Sequence, residues 1–324
     1  MLTTVVGNYP KIPNRPRPAR LRNAINRFDR GEITLEELRQ VEDEVTVEVI
    51  EEQVQAGLDI VTDGQIRWED DQTYIARRLS GVSIDGLVRY FDTNTYYRQP
   101  VVEGDLSWTG PITVADYRFA SEHSPRPIKA VLPGPYTLAR QSLDEHYASL
   151  KECVMAFAAA LRQEALALQE AGAPLIQFNE PAILKHKEDF SLFCTALADA
   201  VEGVRVEKAL YMYFGDVGGI YPAVLDLPFE IIGLDFLMGL KNFELLRQAR
   251  FTKKLGLGLV DGRNTKMETV EALVDKVRVV SDSVPLDNVH LSPNCGLEFL
   301  PREVAQAKLS RMVEAARRSQ EVLA

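Results

Sequence analysis

The sequence predicts a (β/α)8 barrel, and two observations support this fold class. Short apolar runs recur along the 324 residues, and most of them are followed by a segment with helical periodicity. The runs predicted as strands are 5–6, 58–61, 128–132, 175–178, 209–213, 231–234, 255–260 and 289–291. Alternating strands and helices imply parallel strands with right-handed crossovers, and eight such pairs in a chain of this length fit a barrel.

A doubly wound open sheet is the alternative architecture. That fold would place a glycine-rich dinucleotide turn after its first strand. The residues that follow the first apolar run are Gly7-Asn8-Tyr9-Pro10, which do not form such a turn. The barrel is therefore the preferred interpretation.

Amphipathic segments lie between the predicted strands, for example 142–171, 269–281 and 301–323. Apolar residues recur there at helical spacing, as at Leu150, Val154, Phe157 and Leu161. We expect one barrel domain over residues 1–324 with two additions. Helices decorate it at 11–57, and a β-hairpin excursion occupies 83–108, where apolar and polar residues alternate.

The composition argues against several classes of partner. The net charge is −10 and the pI is about 5.1, so the surface repels nucleic acid and anionic membranes. No apolar window approaches the roughly 18 residues of a membrane span, and the first residues lack the features of a signal peptide. The cysteines (Cys153, Cys194 and Cys295) are odd in number and far apart, which favours a reducing cytoplasm.

Chemistry in a (β/α)8 barrel lies at the carboxyl ends of the strands, on the loops that follow them. We expect the polar residues at these positions to surround one hollow. They are Asn8, Asp63, Gln65, Arg67, Asn179, Glu180, Tyr211, Tyr213, Asp235, Asp261, Arg263 and Cys295. Elsewhere in a chain, residues of these types are mostly solvated surface.

Four of these positions need a separate interpretation. Glu180 directly follows an apolar strand, where a carboxylate is desolvated and needs a partner. Tyr211 and Tyr213 alternate with Met212 and so point to one side of a strand, either toward a ligand or toward the packed helices. Asp63 precedes Gly64 and is either a site residue or a turn cap.

Cys295 lies in the segment Asn-Val-His-Leu-Ser-Pro-Asn-Cys-Gly (288–296). A cysteine at the end of a strand and before a glycine can present a thiolate to a ligand or a metal. The alternative is a small buried apolar residue, as most free cysteines are. None of the four histidines stands at a zinc-ligand spacing from another histidine or from a cysteine.

Several segments in order along the chain resemble one enzyme family. They are Val-Val-Gly-Asn-Tyr-Pro (5–10), Gly-Leu-Asp-Ile-Val-Thr-Asp-Gly-Gln (57–65), Arg-Gln-Pro-Val-Val-Glu-Gly-Asp-Leu-Ser (98–107), Leu-Pro-Gly-Pro-Tyr-Thr-Leu (132–138), Ile-Gln-Phe-Asn-Glu-Pro-Ala (176–182), Gly-Leu-Val-Asp-Gly-Arg-Asn-Thr (258–265) and Leu-Ser-Pro-Asn-Cys-Gly-Leu (291–297). Together they resemble the catalytic barrel of cobalamin-independent methionine synthase in its short, stand-alone form.

This resemblance implies a (β/α)8 barrel, shared with relatives of uroporphyrinogen decarboxylase, and methyl transfer. In the family, a His-x-Cys pair, a glutamate and a late cysteine hold a zinc ion. The zinc binds the sulfur of homocysteine and lowers its pKa, so that a thiolate attacks the donor methyl group. Carboxylates after the second and fourth strands hold the ammonium of the amino acid.

The resemblance also implies that this chain departs from the family at those positions. Tyr211-Met212-Tyr213 stands at the His-x-Cys position, Asp235 at the glutamate ligand, and Gln65 and Asn179 at the ammonium-binding carboxylates. Only the late cysteine is kept, as Cys295. The loss of two charges removes charge-assisted hydrogen bonds of about 1.5–3 kcal/mol each. The departures predict an altered acceptor and an incomplete zinc site, for which Cys295 and Asp235 are weak candidates.

Three further departures concern the substrates. Asn8 stands at the serine of the first loop, Arg263 at the histidine that protonates the departing folate, and Gln141 at a tryptophan that contacts the folate ring. The methyl donor is therefore open between a methyl-folate, methylcobalamin on a corrinoid donor protein and a methylated small molecule. Arg67 and Arg263 could bind an anionic group.

The sequence thus predicts a cytoplasmic methyltransferase of one-carbon metabolism that methylates a small nucleophilic acceptor. The predicted catalytic residues are Glu180, Tyr211, Tyr213, Asp235, Asp261, Arg263 and Cys295, and the predicted substrate-binding residues are Gly7, Asn8, Asp63, Gln65, Arg67, Gln141 and Asn179. The first four of the catalytic set are candidates for the base that deprotonates the acceptor. The alternatives are a zinc-dependent homocysteine methyltransferase with atypical ligands, a decarboxylase-like lyase and a non-catalytic binding barrel.

Overall fold

A computed structural model describes residues 1–13 and 18–323 of the chain. Its helices are α1 (Arg20–Asp29), α2 (Leu35–Ala56), α3 (Thr73–Ala76), α4 (Val114–Glu122), α5 (Pro135–Gln141), α6 (Leu150–Glu170), α7 (Phe190–Ala200), α8 (Asn242–Gln248), α9 (Val270–Ser281) and α10 (Arg302–Leu323). Its strands are β1 (Leu2–Thr3), β2 (Leu79–Arg89), β3 (Tyr96–Trp108), β4 (Ala130–Pro133), β5 (Leu143–Asp144), β6 (Leu175–Asn179), β7 (Glu207–Met212), β8 (Ile231–Asp235), β9 (Lys254–Val260) and β10 (Val289–Pro293).

The chain divides into two compact units. The first unit comprises Met1–Arg67, Phe119–Ile128 and Leu257–Ala324, and the second comprises Trp68–Arg118 and Lys129–Gly256. The expectation of one domain over residues 1–324 stays a prediction. Within the part of the chain that the structure describes, no helix has the length and apolar character needed to cross a membrane.

In the first unit, β1 pairs in parallel with β10, Leu2 opposite His290. Helix α2 begins with a capping box, in which Thr34 and Glu37 satisfy each other's backbone N–H groups, and it ends at Gly57 in the left-handed conformation. Arg302 of α10 is buried and donates from Nε to Glu52 of α2 at 3.0 Å. This ion pair fixes α10 against α2.

The predicted helical decoration at 11–57 falls in the first unit, where the structure has α1 and α2. Residues 14–17 of that range lie outside the described residues. The connection between the two helices passes through Gly31, whose φ of +69° suits a glycine.

In the second unit, β4, β6, β7 and β8 pair in parallel in that order. One register row of this sheet runs from Pro133 through Asn179 and Tyr211 to Gly233, so these residues lie side by side near the strand ends. Strands β4, β6 and β8 are fully buried, and β7 is buried after Glu207, as parallel strands covered on both faces are expected to be.

The second unit also contains an antiparallel hairpin. Strands β2 and β3 pair from Leu79 opposite Trp108 to Arg89 opposite Tyr96, and β5 adds in parallel to β3. The sequence placed a hairpin excursion at 83–108, and the strands extend a few residues further toward the N-terminus. Glu164 of α6 secures the end of β3 by accepting from Trp108 Nε1 at 2.8 Å.

Two predicted strands differ from the structure. The first strand is Leu2–Thr3 rather than 5–6, because these two residues pair with β10. The run 58–61 forms only an isolated parallel bridge between Val61 and Ile128. There the side-chain amide of Gln53 takes the place of a strand ladder, since it donates to the carbonyl of Thr62 and accepts from its N–H.

The helix predicted over 142–171 begins later than expected. Leu143 and Asp144 are extended and pair with β3, and Ser149 caps α6 by accepting from the N–H of Glu152. A serine at this position supplies an acceptor to the first helical turn, so the helix starts after it.

Candidate active site

Glu180 follows β6 in the second unit and is fully buried. Its carboxylate accepts hydrogen bonds from the N–H of Tyr136 at 2.9 Å and from the N–H and hydroxyl of Thr137 at 2.8 and 2.6 Å. A β-carbon on Gly134 would overlap this carboxylate, so only glycine fits there. Burial raises the pKa of Glu180 to about 7, against the lowering effect of these donors. Glu180 therefore anchors the start of α5 and also titrates near neutral pH.

Asp235 ends β8 and is also fully buried. One carboxylate oxygen accepts from the N–H of Phe214 at 3.0 Å, and the other accepts from the N–H groups of Leu237 and Met238 at 2.8 and 2.9 Å. Both oxygens are thus held by backbone donors of the loops after β7 and β8. This arrangement stabilises the ionised carboxylate and orders the two loops.

Tyr211 lies in β7 between Asn179 of β6 and Gly233 of β8. Its ring covers Gly233 and reaches Gly256, where a β-carbon would lie only 2.7 Å from the phenol oxygen. Lys129 Nζ lies 5.0 Å from the centre of the ring. Tyr211 therefore occupies space that these two glycines leave open in the sheet.

Tyr213 follows β7, and its hydroxyl lies at hydrogen-bond distance, 3.3 Å, from the hydroxyl of Tyr90. Tyr90 comes from the residues directly after β2 and packs edge-on against Phe91, Tyr97 and Phe214. The hairpin thus supplies a partner for a predicted catalytic phenol. Sequence reasoning missed Tyr90 as a site residue, although its place in an aromatic-rich excursion was a signal.

Lys129, which precedes β4, is the second feature that sequence reasoning missed. Its Nζ donates to Gln177 Oε1 at 2.6 Å, and Gln177 Nε2 donates to Asn179 Oδ1 at 2.7 Å. All three side chains are buried. The signal for this network was a lysine within the apolar run 128–132, where a charge needs a partner.

Gln141 is the last residue of α5, and its backbone carbonyl accepts from the hydroxyl of Tyr97 at 2.8 Å. This contact joins α5 to β3 of the hairpin. The side chain of Gln141 is half-buried, and its predicted role in substrate binding stays a prediction.

The first unit contains the remaining predicted residues. Gly7 accepts from the hydroxyl of Thr62 at 2.8 Å, and Asn8 accepts through its carbonyl from the N–H of Leu297 at 3.0 Å. Asp63 accepts from the N–H of Gln65 at 3.0 Å, which forms the turn that the sequence offered as one interpretation.

Gln65 has a positive φ of 52° and is buried, and its side-chain oxygen has no hydrogen-bond partner in the described part of the protein. A strained backbone and an unsatisfied buried acceptor each cost free energy, so their combination is typical of a functional position. A ligand N–H or O–H group would satisfy this oxygen.

Arg67 forms an ion pair with Asp43 of α2, and its guanidinium lies 4.7 Å from the centre of the Phe119 ring. Its charge is therefore compensated within the protein. The predicted role of Arg67 in binding an anionic group stays a prediction.

Two loops of the first unit meet at Cys295. Asp261 after β9 accepts from the N–H of Arg263 at 2.9 Å, and Gly262 donates to Asn294 Oδ1 at 3.0 Å. Cys295 is fully buried, and its Sγ lies 3.5 Å from Asn294 Oδ1 and 3.4 Å from the carbonyl oxygen of Gly296. Its single S–H can donate to one of these two oxygens at a time.

The structure thus groups the predicted residues within each unit. In the second unit, Asn179, Glu180 and Tyr211 are neighbours, since the N–H of Glu180 also donates to the carbonyl of Tyr211 at 2.8 Å. In the first unit, Asp63 lies in one turn with Gln65, and the Asp261 loop contacts the Cys295 loop. The catalytic roles assigned from the sequence stay predictions.

Comparison with known proteins identifies the family. Residues 1–318 match the family described as cobalamin-independent synthase, catalytic domain. The chain belongs to this family. It is 34% identical to the methionine synthase of Saccharolobus solfataricus over 319 residues, which cover 97% of this chain and 93% of the relative. The methionine synthase of Sulfurisphaera tokodaii is 33% identical, with 97% and 91% covered.

Solved structures agree with this assignment. A B12-independent methionine synthase from Shewanella, in complex with selenomethionine, superposes with a TM-score of 0.86 at 26% identity, covering 100% of this chain and 99% of that one. A methyltransferase from Methanosarcina mazei shares the fold, with a TM-score of 0.63 at 17% identity over 98% and 94% of the two chains. The predicted (β/α)8 class and the predicted family are confirmed.

The residues at the positions that the family resemblance assigns to zinc make hydrogen bonds within the protein. Among residues 1–13 and 18–323, no three or more His, Cys, Asp or Glu side chains are grouped so as to hold a metal ion. Both carboxylate oxygens of Asp235 accept from backbone N–H groups, and Cys295 Sγ lies within hydrogen-bond distance of two oxygens. A catalytic zinc normally has three protein ligands. The incomplete zinc site expected from the sequence stays a prediction.

Proposed function

We propose that this member of the cobalamin-independent synthase family methylates a small nucleophilic acceptor without the complete zinc site of the family. The observation that supports this most directly is the identity of the residues at the positions of the zinc ligands. Asp235, at the position of a zinc ligand, already accepts three backbone hydrogen bonds, and phenols stand at the His-x-Cys position. The acceptor must therefore be activated by a base.

Tyr213 is the base in this proposal. Its hydroxyl is paired with that of Tyr90, which can donate to the phenolate form of Tyr213. Tyr213 first gives its own proton to solvent. The acceptor then gives its proton to this phenolate, its lone pair forms the new bond to the methyl carbon, and the donor leaves with the electrons of the bond that breaks. Asp235 and Glu180 are bound by backbone donors, so they position loops in this scheme.

The methyl donor is a methyl-folate or a methylated corrinoid carried by a partner protein. We expect the corrinoid, because Gln141 stands where the family resemblance places a tryptophan against the folate ring. A glutamine offers no ring face for stacking. The reaction takes place in the cytosol, in keeping with the odd number and wide spacing of Cys153, Cys194 and Cys295.

A zinc-dependent homocysteine methyltransferase is the second candidate, because relatives at 33–34% identity are named methionine synthase. Metal analysis of the purified protein separates the two proposals. Stoichiometric zinc, together with loss of methionine formation after chelation, would support the second candidate and refute the first.

The base is tested with a matched pair of variants. Removal of one hydroxyl in Tyr213→Phe should lower the rate of methyl transfer by 10²–10⁴-fold, the usual contribution of a general base. Tyr117→Phe is the control, because the Tyr117 hydroxyl donates only to the carbonyl of Gly172. Methyl transfer from methylcobalamin and from methyl-folate is measured for both. Equal rates for wild type and Tyr213→Phe would show that Tyr213 is not the base.

A further inference from the structure

A linear network of buried polar side chains ends at Asn179. Lys129 Nζ donates to Gln177 Oε1 at 2.6 Å, and Gln177 Nε2 donates to Asn179 Oδ1 at 2.7 Å. Gln177 and Asn179 are two residues apart in β6 and so face the same side of the sheet. The network leads from a lysine in the interior to the end of the strand.

The ammonium group of Lys129 sets the direction of both hydrogen bonds in this network. An ammonium group has three donors and no acceptor, so Gln177 must present its oxygen to Lys129. The amide nitrogen of Gln177 then donates to Asn179, which must accept through its side-chain oxygen. The ring of Tyr211, 5.0 Å from Lys129 Nζ, favours the charged form of the lysine. Burial lowers the pKa of Lys129 to about 7.

With its oxygen bonded to Gln177, Asn179 can donate to a ligand through its amide nitrogen. Asn179 is 5% exposed, and in the described part of the protein its side chain accepts from Gln177 and makes no further hydrogen bond. A flipped Asn179 amide would set two N–H groups against each other and leave a buried donor unsatisfied. Asn179 therefore acts as a hydrogen-bond donor.

We propose that Lys129 and Gln177 are positioning residues that fix Asn179 as a donor, so that the methyl acceptor places a carbonyl or carboxylate oxygen against it and not an ammonium. This inference rests on the proposed function, because it takes Asn179 to contact the acceptor. An oxygen accepts the N–H of Asn179, whereas an ammonium would meet it donor to donor. The substrate class that follows is a small nucleophile that carries a carbonyl or carboxylate oxygen in place of an α-ammonium group, and a thiol acid is the acceptor that we test.

The probes are three methylthio acids that stand for the methylated product and differ only at carbon 2. They are 4-methylthio-2-oxobutyrate with a carbonyl, 4-methylthiobutyrate with no substituent, and methionine with an ammonium. Binding is measured by calorimetry. Wild type should bind the oxo acid at least about tenfold more tightly than methionine, since the second complex leaves a buried donor unpaired.

Two variants and a control isolate the network. Asn179→Asp presents only acceptors, so the preference should reverse in favour of methionine by about tenfold or more. Lys129→Met lets the Gln177 and Asn179 amides turn, so the wild-type preference should shrink to less than about threefold. Lys208→Met is the control, because it also removes a buried lysine, one that pairs with Glu230 instead. The preference of Lys208→Met for the oxo acid over methionine should equal that of wild type.

The outcomes separate this inference from the proposed function. Equal binding of methionine and the oxo acid by wild type, or an unchanged preference in Asn179→Asp, would overturn the inference alone. If Lys129→Met kept the wild-type preference for the oxo acid over methionine, Lys129 would not be a positioning residue. Failure of all three acids to bind any variant would refute the thiol acid as acceptor and the inference with it. The crystal structure of Lys129→Met shows whether the chain remains folded.

Discussion

Replacement of Glu180 by glutamine should change how the stability of the protein depends on pH. The carboxylate accepts from the N–H of Tyr136 through one oxygen and from Thr137 through the other. Glutamine keeps one oxygen, so its NH₂ group must face one of these donors. The loss of that hydrogen bond in a buried site should cost about 1–3 kcal/mol.

The sign of the pH effect follows from the raised pKa. Burial raises the pKa of Glu180 from 4.5 to about 7, so the folded state holds the proton more tightly than the unfolded state between these values. Wild type therefore loses stability as the pH rises from 4.5 to 7, by about 3 kcal/mol in total. Glutamine does not titrate and lacks this loss. The stability advantage of wild type over Glu180→Gln should fall by about 3 kcal/mol between pH 4.5 and pH 8.

Urea unfolding followed by circular dichroism at several pH values measures this difference. Glu170→Gln is the control, because Glu170 is exposed at the end of α6 and its replacement removes a carboxylate without the buried contacts. Parallel stability curves for wild type and Glu180→Gln from pH 4.5 to pH 8 would refute the raised pKa.

Two further substitutions test the packing that positions the site. Gly256→Ala should lower stability by about 1–3 kcal/mol, because the new β-carbon would lie 2.7 Å from both the Tyr211 hydroxyl and the Cα of Gly233. Thermal unfolding should show a smaller cost in a Tyr211→Phe background, because that background removes the first contact and keeps the second; an equal cost in both backgrounds would contradict the contact with the hydroxyl. Arg302→Met should cost about 3–5 kcal/mol in urea unfolding, because it removes the guanidinium that pairs with the buried Glu52 carboxylate; a cost below about 1 kcal/mol would show that the pair is not buried as described.

The sequence was sufficient for the fold class and for most of the strands. The runs 175–178, 209–213 and 231–234 each lie within two residues of an observed strand, because strands buried on both faces are continuously apolar. The run 58–61 failed because the partner of Thr62 is the side chain of Gln53, nine residues earlier. A side chain that pairs with the backbone in place of a neighbouring strand does not change the pattern of apolar residues, so this pattern cannot reveal it.

The candidate site was predictable as a set of positions but not as a set of contacts. Strand ends located Glu180 and Asp235, since the fold rule needs only the ends of apolar runs. Their hydrogen-bond partners include Tyr136, at the start of α5, and Phe214, in the loop after β7, and such partners depend on the three-dimensional arrangement. Lys129 was overlooked for the same reason, because its partner Gln177 is 48 positions away.

The contact between Tyr90 and Tyr213 has a consequence for how this protein could diverge or be redesigned. An inserted segment usually tolerates shortening and exchange, but here it contributes one hydroxyl of a buried pair. A chimera with this segment from a homologue that lacks a tyrosine at position 90 would lose the hydrogen bond to the Tyr213 hydroxyl, which is buried among aromatic rings. We therefore expect the segment and residue 213 to change together over evolutionary time.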